Sequence, residues 1–408
     1  MKNIENGNQK AVNITKQVLI LVGILFVFLV SLNMMSGGFK LLGKDIAEQI
    51  ISVTSNPFVG LFVGLLSTAL VQSSSTTTSM IVAIVASGAL TLENAIPMIM
   101  GANIGTSVTS TIVAIGHIPR RAEFQKAISS ATVHDFFNLI VVVILFPIEY
   151  FTGALSSAGA WLASVIYTDG ASTAKMFSVL GVTVKPAAKA LISFLGSNAM
   201  IVIPASVVLL FASLRGLSVM LKKLLIGKSQ ENLEKYVFGN PFKSLTWGIG
   251  LTAAVQSSSV TTSLIVPLVA TDKISLRKAF PFLMGANIGT TVTALIASIS
   301  QTEAALAVAL CHLLFNLFGV FILFPIGVLR NIPIWMAETL GKYAGKKRMI
   351  GVAYIVITFF LIPFILIYST SDFSSKAVDD SKVIEIPAKP VSAVSSTILE
   401  TSGGIDLK

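Results

Sequence analysis

Long stretches without charge constrain this chain more than any other feature of its sequence. Residues 49–92 and 244–271 contain no Asp, Glu, Lys or Arg. The whole chain is 54% hydrophobic and only 12% charged, whereas about 25% of a soluble domain is charged. The sequence therefore predicts an all-α integral membrane protein. The net charge of +10 does not indicate a nucleic-acid-binding protein, because the basic residues flank apolar spans and form no soluble basic patch.

Seven segments are apolar and long enough to cross about 30 Å of hydrocarbon, which takes roughly 20 helical residues. They lie near residues 17–36, 94–117, 127–150, 190–214, 279–300, 304–329 and 350–369. Two further apolar stretches, residues 57–90 and 241–271, are interrupted midway by polar runs. Each of their arms has about 15 residues and reaches only roughly 22 Å. We therefore expect two re-entrant hairpins that return to the side from which they entered.

The basic residues predict the orientation of the chain. If the N-terminus is cytoplasmic and each hairpin returns to its own side, most of the 29 Lys and Arg residues flank cytoplasmic ends of spans, as the positive-inside rule requires. This places the chain in the cell membrane, with a cytoplasmic segment 1–16 and an extracytoplasmic C-terminal tail. The apolar stretch 18–32 fits a signal peptide or an anchor; no A-x-A cleavage pattern follows it, which favours a retained first helix.

The segments outside the crossings carry predictions of their own. Residues 151–189 are expected to form an extracytoplasmic connecting loop. Residues 39–52 and 332–346 mix charged and apolar residues at helical spacing, which indicates helices lying in the membrane interface. The second of these belongs to a region, 330–369, that ends with the last crossing. Residues 370–408, rich in Ser, Val, Pro and charge, are expected to be disordered.

An internal duplication determines the predicted architecture. A shift of 184 residues superposes the Gln-Ser-Ser-Ser motif at residues 72–75 on the same motif at residues 256–259. From residue 72 to residue 109, 23 of 38 positions are identical under this shift, so the chain contains two copies of one sequence.

Farther along, the shift becomes 178 residues, and His134-x-x-x-Asn138 matches His312-x-x-x-Asn316. The first copy, residues 17–150, holds three predicted crossings, and an odd number makes the second copy, residues 190–329, start from the opposite face. The two copies are therefore predicted to be inverted repeats, as in many secondary transporters.

The two Gln-Ser-Ser-Ser motifs lie where the arms of the predicted hairpins turn. Ser and Thr also serve as small packing residues in membrane helices, so packing is the alternative explanation. At a turn inside hydrocarbon, however, backbone groups at helix ends need partners, and hydroxyls supply both donors and acceptors. Helix amides suit an anion, while carbonyl, hydroxyl and Gln oxygens suit sodium. The candidate phosphate- and sodium-binding residues are Gln72, Ser73, Ser74, Ser75, Gln256, Ser257, Ser258 and Ser259, without assignment of individual residues to either ion.

A second duplicated motif, Gly-Ala-Asn-Ile-Gly-Thr, follows each hairpin at residues 101–106 and 285–290. Its Gly-x-x-x-Gly spacing matches a helix-packing pattern. The intervening Asn and the following Thr favour instead a broken helix that faces the site. Its candidate site residues are Asn103, Thr106, Asn287 and Thr290. The motif is not a phosphate-binding P-loop, because no Lys follows the second Gly.

The remaining ionisable groups near these motifs do not indicate an enzyme. His134, Asp135 and His312 lie near the start of crossings, and the two His residues, each four residues before an Asn, are interpreted mainly as structural hydrogen-bonding groups. The G-x-S-x-G nucleophile motif of a hydrolase is absent from the sequence. No Lys or Arg falls within the duplicated motifs, so a phosphate there requires helix amides and bound cations to balance its charge.

Three motifs give this chain a close resemblance to the type II sodium-phosphate cotransporters. They are Leu70-Val-Gln-Ser-Ser-Ser-Thr-Thr-Thr-Ser79, Ile99-Met-Gly-Ala-Asn-Ile-Gly-Thr-Ser-Val-Thr109 and Ala131-Thr-Val-His-Asp-Phe-Phe-Asn138. The resemblance extends over roughly residues 17–369. It implies that the substrate is inorganic phosphate, that sodium is the coupling ion with no further cofactor, and that paired hairpins form a central site exposed alternately to either side.

Other functions stay open at this stage. A sodium-coupled transporter of sulfate or a dicarboxylate has the same sequence features, and a non-transporting scaffold or phosphate sensor would use the hairpins only for packing. The expected partners are phosphate, sodium and the lipid bilayer, and a homodimer is left open.

Overall fold

Helices form almost all of the described chain. In this computed structural model the backbone is described for residues 2–168, 171–225, 237–299 and 301–369, and side chains for residues 15–167, 182–220, 237–299 and 301–369. These ranges contain no β-strand. The described residues up to Tyr368 belong to one compact unit. The expectation of a disordered tail after residue 369 concerns residues outside the described ranges.

The first half of the chain contains ten helices in its described residues. They are α1 (Lys2–Leu41), α2 (Lys44–Thr54), α3 (Pro57–Val71), α4 (Ser74–Ser87), α5 (Leu92–Gly105), α6 (Val108–Ile115), α7 (Arg121–Thr152), α8 (Ala154–Thr168), α9 (Ala171–Phe194) and α10 (Ala199–Leu225).

Seven further helices follow in the described part of the second half. They are α11 (Pro241–Val255), α12 (Ser258–Ser263), α13 (Ile265–Ala270), α14 (Leu276–Ser298), α15 (Glu303–Leu323), α16 (Gly327–Lys346) and α17 (Arg348–Val356). A π-helical turn, Ile357–Leu361, continues α17 toward residue 369.

Seven described helical segments are long and apolar enough to cross a membrane. These segments are Thr15–Leu41, Leu92–Ile115, Arg121–Thr152, Ala199–Met220, Leu276–Ser298, Glu303–Leu323 and Arg348–Ser369. Each overlaps one of the seven crossings predicted from hydropathy, so seven apolar helices are confirmed. The predicted crossing 190–214 was placed too early, since α9 ends at Phe194 and the apolar span begins at Ala199. The protein is therefore an all-α, multi-pass membrane protein.

The two stretches around the Gln-Ser-Ser-Ser motifs fold in matching ways. α3 and α11 each begin with Pro at the first helical position, and the side chains of Asn56 and Asn240 accept hydrogen bonds from the amides of Phe58 and Phe242 at 3.0 and 2.8 Å. Asn caps followed by Pro are strong helix-start signals. Both first arms are 15 residues long and end at the Gln of the motif.

The second arms differ because of one proline. α4 runs without interruption to Ser87, whereas the equivalent arm is divided at Leu264 into α12 and α13. Pro267 occupies the position of Ala83 in the first copy. A proline inside a helix removes one backbone hydrogen bond and clashes with the preceding turn, which explains the division.

The segment 151–189, expected to be a loop, is largely helical. α8 and α9 occupy most of it, and α9 continues to Phe194. Glu149 accepts a hydrogen bond from the backbone amide of Leu155 at 2.7 Å at the start of α8. α8 packs on α15, where a Cβ added to Gly159 would lie 2.2 Å from Cys311 Sγ. The expectation of a loop was wrong because small residues in α8 allow a close helix contact that hydropathy does not reveal.

The glycines of the duplicated Gly-x-x-x-Gly pattern are packing residues. α5 packs along α3, and α14 along α11. A Cβ on Gly101 would lie 1.8 Å from Leu61 O, and one on Gly285 would lie 2.1 Å from Leu245 O. Only a residue without a side chain permits this approach of the two backbones.

The broken helix predicted for each copy occurs only in the first. There, α5 ends at Gly105 and α6 begins at Val108. In the second copy, α14 continues through Gly289, so the prediction was wrong for that copy. A helical glycine costs only about 1 kcal/mol relative to alanine, and the contact of Gly289 with α11 is as close as that of Gly105 with α3.

We expect Gly101→Ala and Gly285→Ala each to lower the free energy of unfolding by about 3 kcal/mol or more, because an inserted Cβ overlaps a backbone carbonyl. Gly250→Ala is the matched control on α11, since nothing lies within 4 Å of a Cβ there. Thermal unfolding of the purified protein in detergent measures the difference. Equal midpoints for all three variants would contradict the assignment of Gly101 and Gly285 to helix packing.

Candidate functional site

The first motif (residues 72–75) and the second motif (residues 256–259) have the same local structure. The backbone of Gln72 and Gln256 is left-handed, with φ of 57° and 55°. The following serines, Ser73 and Ser257, are helix N-caps whose hydroxyls accept hydrogen bonds from backbone amides three residues later, at 3.2 and 3.3 Å. Each motif thus ends one helix and starts another.

The two motifs are in direct contact. Ser74 Oγ and Ser258 Oγ are 3.4 Å apart, although the residues are 184 positions apart in sequence. Ser259 Oγ donates a hydrogen bond to the backbone carbonyl of Gln72 at 3.2 Å. The fold therefore brings the duplicated motifs together at one place, and both Ser74 and Ser258 are buried there.

More hydroxyl groups surround this contact. Ser110 Oγ lies 2.9 Å from Thr262 Oγ1, and Thr293 Oγ1 donates to Ser75 Oγ at 3.5 Å. Thr109 Oγ1 donates to the carbonyl of Gln72 at 3.4 Å. The first two bonds join the first copy to the second, the third lies within the first copy, and all three extend the polar centre beyond the motifs themselves.

Several oxygens at the motif ends have no hydrogen-bond partner among the described residues. They are Thr68 Oγ1, Thr252 Oγ1 and Gln256 Oε1, all buried. Thr68 and Thr252 lie one helical turn before the Gln of each motif. Oxygens of this kind are what a hard cation prefers.

The two motifs differ in exposure. Gln72 is exposed, whereas Gln256 is buried, with its Nε2 donating to the carbonyl of Ala253. The two glutamines thus differ in exposure, although both serines of the motif contact are buried.

A buried network of amides and imidazoles lies beside the hydroxyl centre and connects the two copies. His134 Nε2 shares a hydrogen bond with Asn287 Oδ1, and Asn287 Nδ2 donates to Asn138 Oδ1 at 2.7 Å. Asn138 Nδ2 donates to the backbone carbonyl of Asn103 at 2.8 Å. The interpretation of His134 as a structural hydrogen-bonding group is consistent with these contacts.

Asn103 corresponds to Asn287 in the other copy, and the hydrogen bonds that its side-chain oxygen shares with the neighbouring helix are longer. His312 Nε2 and Asn316 Nδ2 both lie 3.4 Å from Asn103 Oδ1. All of these side chains are buried. The side-chain bonds to the His and Asn of the neighbouring helix are therefore shorter at Asn287 than at Asn103, although the two asparagines occupy the same position of the duplicated motif. Asn103 Nδ2 instead donates to the carbonyl of Ile99 on its own helix at 2.8 Å.

The structure does not bring every predicted site residue to the motif contact. Thr106 and Thr290 donate to the carbonyls of Ala102 and Ala286 on their own helices, at 3.1 and 2.9 Å. Hydroxyls bonded four residues back along a helix commonly have a local role. Their place in the site stays a prediction.

Asp135, beside His134, is a buried acid at the margin of the network. Its Oδ2 accepts a hydrogen bond from the Tyr354 hydroxyl at 3.1 Å, and its Oδ1 has no partner among the described residues. This contact joins α7 to α17.

Sequence reasoning missed several residues of the polar centre: Thr68, Thr109, Ser110, Thr252, Thr262 and Thr293. It noted Asn138 and Asn316 in the second alignment of the duplication, where each follows a His by four residues, but did not name them as site residues. Isolated Ser and Thr residues in apolar helices carry no signal of a site, since most bond to their own helix.

The fold and the polar centre define a multi-pass membrane protein in which two copies of a hydroxyl-rich motif meet. The sequence profile described as Na+/Pi-cotransporter matches residues 27–168 and 209–328. The chain belongs to this family of transporters.

Curated relatives agree with this assignment. Sodium-dependent phosphate transport protein 2A of Rattus norvegicus is 35% identical over an alignment of 421 positions, gaps included, that covers 84% of this chain and 66% of that protein. Protein 2B of Homo sapiens is 33% identical over an alignment of 446 positions that covers 85% of this chain and 64% of the relative. The chain thus spans slightly less than two thirds of the length of these relatives. No solved structure matches it.

Proposed function

We propose that this chain is a secondary active transporter that imports inorganic phosphate by symport with sodium ions. The observation that carries the proposal is the contact between Ser74 and Ser258, because it joins the two copies of the motif into one polar centre. Membership of the Na+/Pi-cotransporter family and the names of the curated relatives support the same substrates.

The chemistry of the centre suits an anion and a cation bound together. The amino end of α4, a helix of 14 residues that begins at Ser74, provides partial positive charge and amide donors. The buried oxygens of Thr68, Thr252 and Gln256 provide ligands for sodium. The duplicated motifs contain no Lys or Arg, so each bound ion lowers the cost of burying the other. This mutual dependence is what couples two fluxes.

The proposed binding residues are the ones predicted from the sequence. Phosphate and sodium are proposed to bind among the first motif, the second motif, Asn103, Thr106, Asn287 and Thr290. The assignment of any one of these residues to one ion is left open.

The proposed mechanism is alternating access between inverted repeats with re-entrant hairpins. Among the described residues, three apolar spans lie between the starts of α3 and α11: Leu92–Ile115, Arg121–Thr152 and Ala199–Met220. An odd number of spans supports opposite orientations of the two hairpins. α3 and α11, at roughly 22 Å each, are shorter than the hydrocarbon layer. In the opposite state we expect Gln256 to become exposed and Gln72 to become buried.

The proposed location is the cell membrane with a cytoplasmic N-terminus and an extracytoplasmic tail, based on the distribution of Lys and Arg. We propose that residues 17–150 form the first repeat and residues 190–329 the second. A homodimer is one proposed oligomeric state.

Uptake of radiolabelled phosphate into vesicles that contain the purified full chain tests the function. We expect an inward sodium gradient to drive accumulation at least about tenfold above the level with choline in place of sodium, because anion binding depends on the cation. Excess sulfate or dicarboxylate should not compete. Uptake that persists in choline would refute sodium coupling, and competition by sulfate would indicate a different anion. Absence of all uptake would favour a scaffold or sensor.

A further inference from the structure

A groove on the outside of the helix bundle lies between α1 and α10. It has a volume of about 450 Å³ and is lined by Ile24, Ala212, Arg215, Gly216, Val219 and Met220. All of these residues except Arg215 are uncharged, and most are apolar. α1 and α10 pack against one another and expose large apolar side chains such as Val22, Phe211 and Val219. The groove therefore opens toward lipid.

Arg215 lies in the carboxyl-terminal part of α10, a helix that runs from Ala199 to Leu225. The other side chains that line the groove are uncharged, so the guanidinium stands alone against an apolar surface. In membrane proteins, arginine side chains of this kind extend toward the headgroup region or pair with an anion.

The charge of Arg215 is not neutralised by the described protein. The ion pairs among the described side chains involve Glu123 and Asp272 as the acidic partners, and Arg215 makes no hydrogen bond or ion pair with any described residue. Its side chain is exposed. With no acidic partner among the described residues, the exposed Arg215 guanidinium is available to an anion from outside the chain.

We propose that this groove binds one anionic phospholipid, with the headgroup phosphate on the Arg215 guanidinium and an acyl chain along Ile24, Val219 and Met220. The guanidinium presents several donors in a fork that matches a phosphate, and a basic pocket between membrane helices is a typical site for an anionic headgroup. The apolar walls favour a lipid over a free inorganic anion, because they would desolvate an anion without offering further donors.

The test compares binding of phosphatidylglycerol and phosphatidylcholine, with identical acyl chains, to the purified full chain by native mass spectrometry. We expect phosphatidylglycerol to bind at least about fivefold more tightly, because one basic residue near the headgroup contributes roughly this factor. Arg215→Gln should remove the preference. Ala212→Phe, which keeps the charge but fills the groove, should weaken the binding of both lipids.

Arg121→Gln is the matched control, because it removes the same charge from an exposed arginine at the start of α7, and it should keep the preference. A preference that survives Arg215→Gln would overturn the proposal. Displacement of the lipid by millimolar inorganic phosphate would do so too, since the site would then bind free anions. If Ala212→Phe changed the oligomeric state and left lipid binding intact, the groove would be an interface between copies and the proposal would be wrong.

Discussion

Sodium-driven phosphate uptake is expected to fall by at least about tenfold when Ser258 is replaced by alanine. Ser258 is buried, and its hydroxyl lies 3.4 Å from that of Ser74 in the other motif. A hydrogen bond to a charged group contributes about 1.5–3 kcal/mol, and each 1.36 kcal/mol corresponds to a factor of ten in rate. The measurement is initial uptake in vesicles with equal amounts of inserted protein.

A second variant tests whether the two serines act together. If Ser74 and Ser258 bind the same ion, the double variant should lose less than the product of the two single losses, because residues in one network are not additive. Ser31→Ala serves as the control: it removes an equally buried hydroxyl whose only recorded bond is to Phe28 O on its own helix. Unchanged uptake in Ser258→Ala, or an equal loss in Ser31→Ala, would show that the site has been misplaced.

Asn287→Ala is expected to destabilise the folded protein by about 2–5 kcal/mol, more than Asn103→Ala at the equivalent position of the other copy. The first change leaves His134 Nε2 and Asn138 Oδ1 without their partner, and each buried unpaired group costs about 1–3 kcal/mol. Asn103 Oδ1 takes part in two longer bonds of 3.4 Å, and its Nδ2 donates to the carbonyl of Ile99 on its own helix at 2.8 Å. Its backbone carbonyl, which accepts a bond from Asn138, survives the substitution.

Unfolding of the detergent-solubilised variants by heat or denaturant, followed by loss of helical signal, measures this difference. The two variants are each other's control, since they remove the same side chain from matched sites of one duplication. Equal losses, or a larger loss for Asn103→Ala, would show that the asymmetry of the network has no energetic counterpart.

Hydropathy was sufficient to predict the seven crossings, because the cost of exposing polar backbone in hydrocarbon leaves long apolar helices as the available solution. The helix starts at Pro57 and Pro241 agree with the Asn-Pro pairs in the sequence, since Asn is a favoured N-cap and Pro a favoured first helical residue. The loop expected at 151–189 was wrong because the contact between Gly159 and Cys311 depends on two residues far apart in sequence. The broken helix expected in the second copy was wrong, because α14 continues through Gly289. The Gly-Ala-Asn-Ile-Gly-Thr sequence is identical in both copies, and both second glycines pack equally closely on a neighbouring helix, so the motif alone does not predict this difference.

The sequence predicted those site residues that belong to the duplicated motifs, but it did not predict which side chains of the two copies form hydrogen bonds with each other. The duplication identified both motifs, and the fold places Ser74 beside Ser258. The bond between Ser110 and Thr262 joins positions that do not correspond under either sequence shift. No periodicity within one chain indicates which hydroxyl of one copy will meet which hydroxyl of the other.

The left-handed backbone at Gln72 and Gln256 raises the question of why these two positions carry glutamine and not glycine. Glycine adopts positive φ at no steric cost and is the residue most often found at such helix ends. Here both copies carry glutamine at φ of 57° and 55°, so each copy retains an amide side chain where the backbone alone would favour none. The folding of the turn therefore does not explain the choice of residue. Glycine at residues 72 and 256 would favour these left-handed turns and would remove the amide side chains that we propose for ion binding.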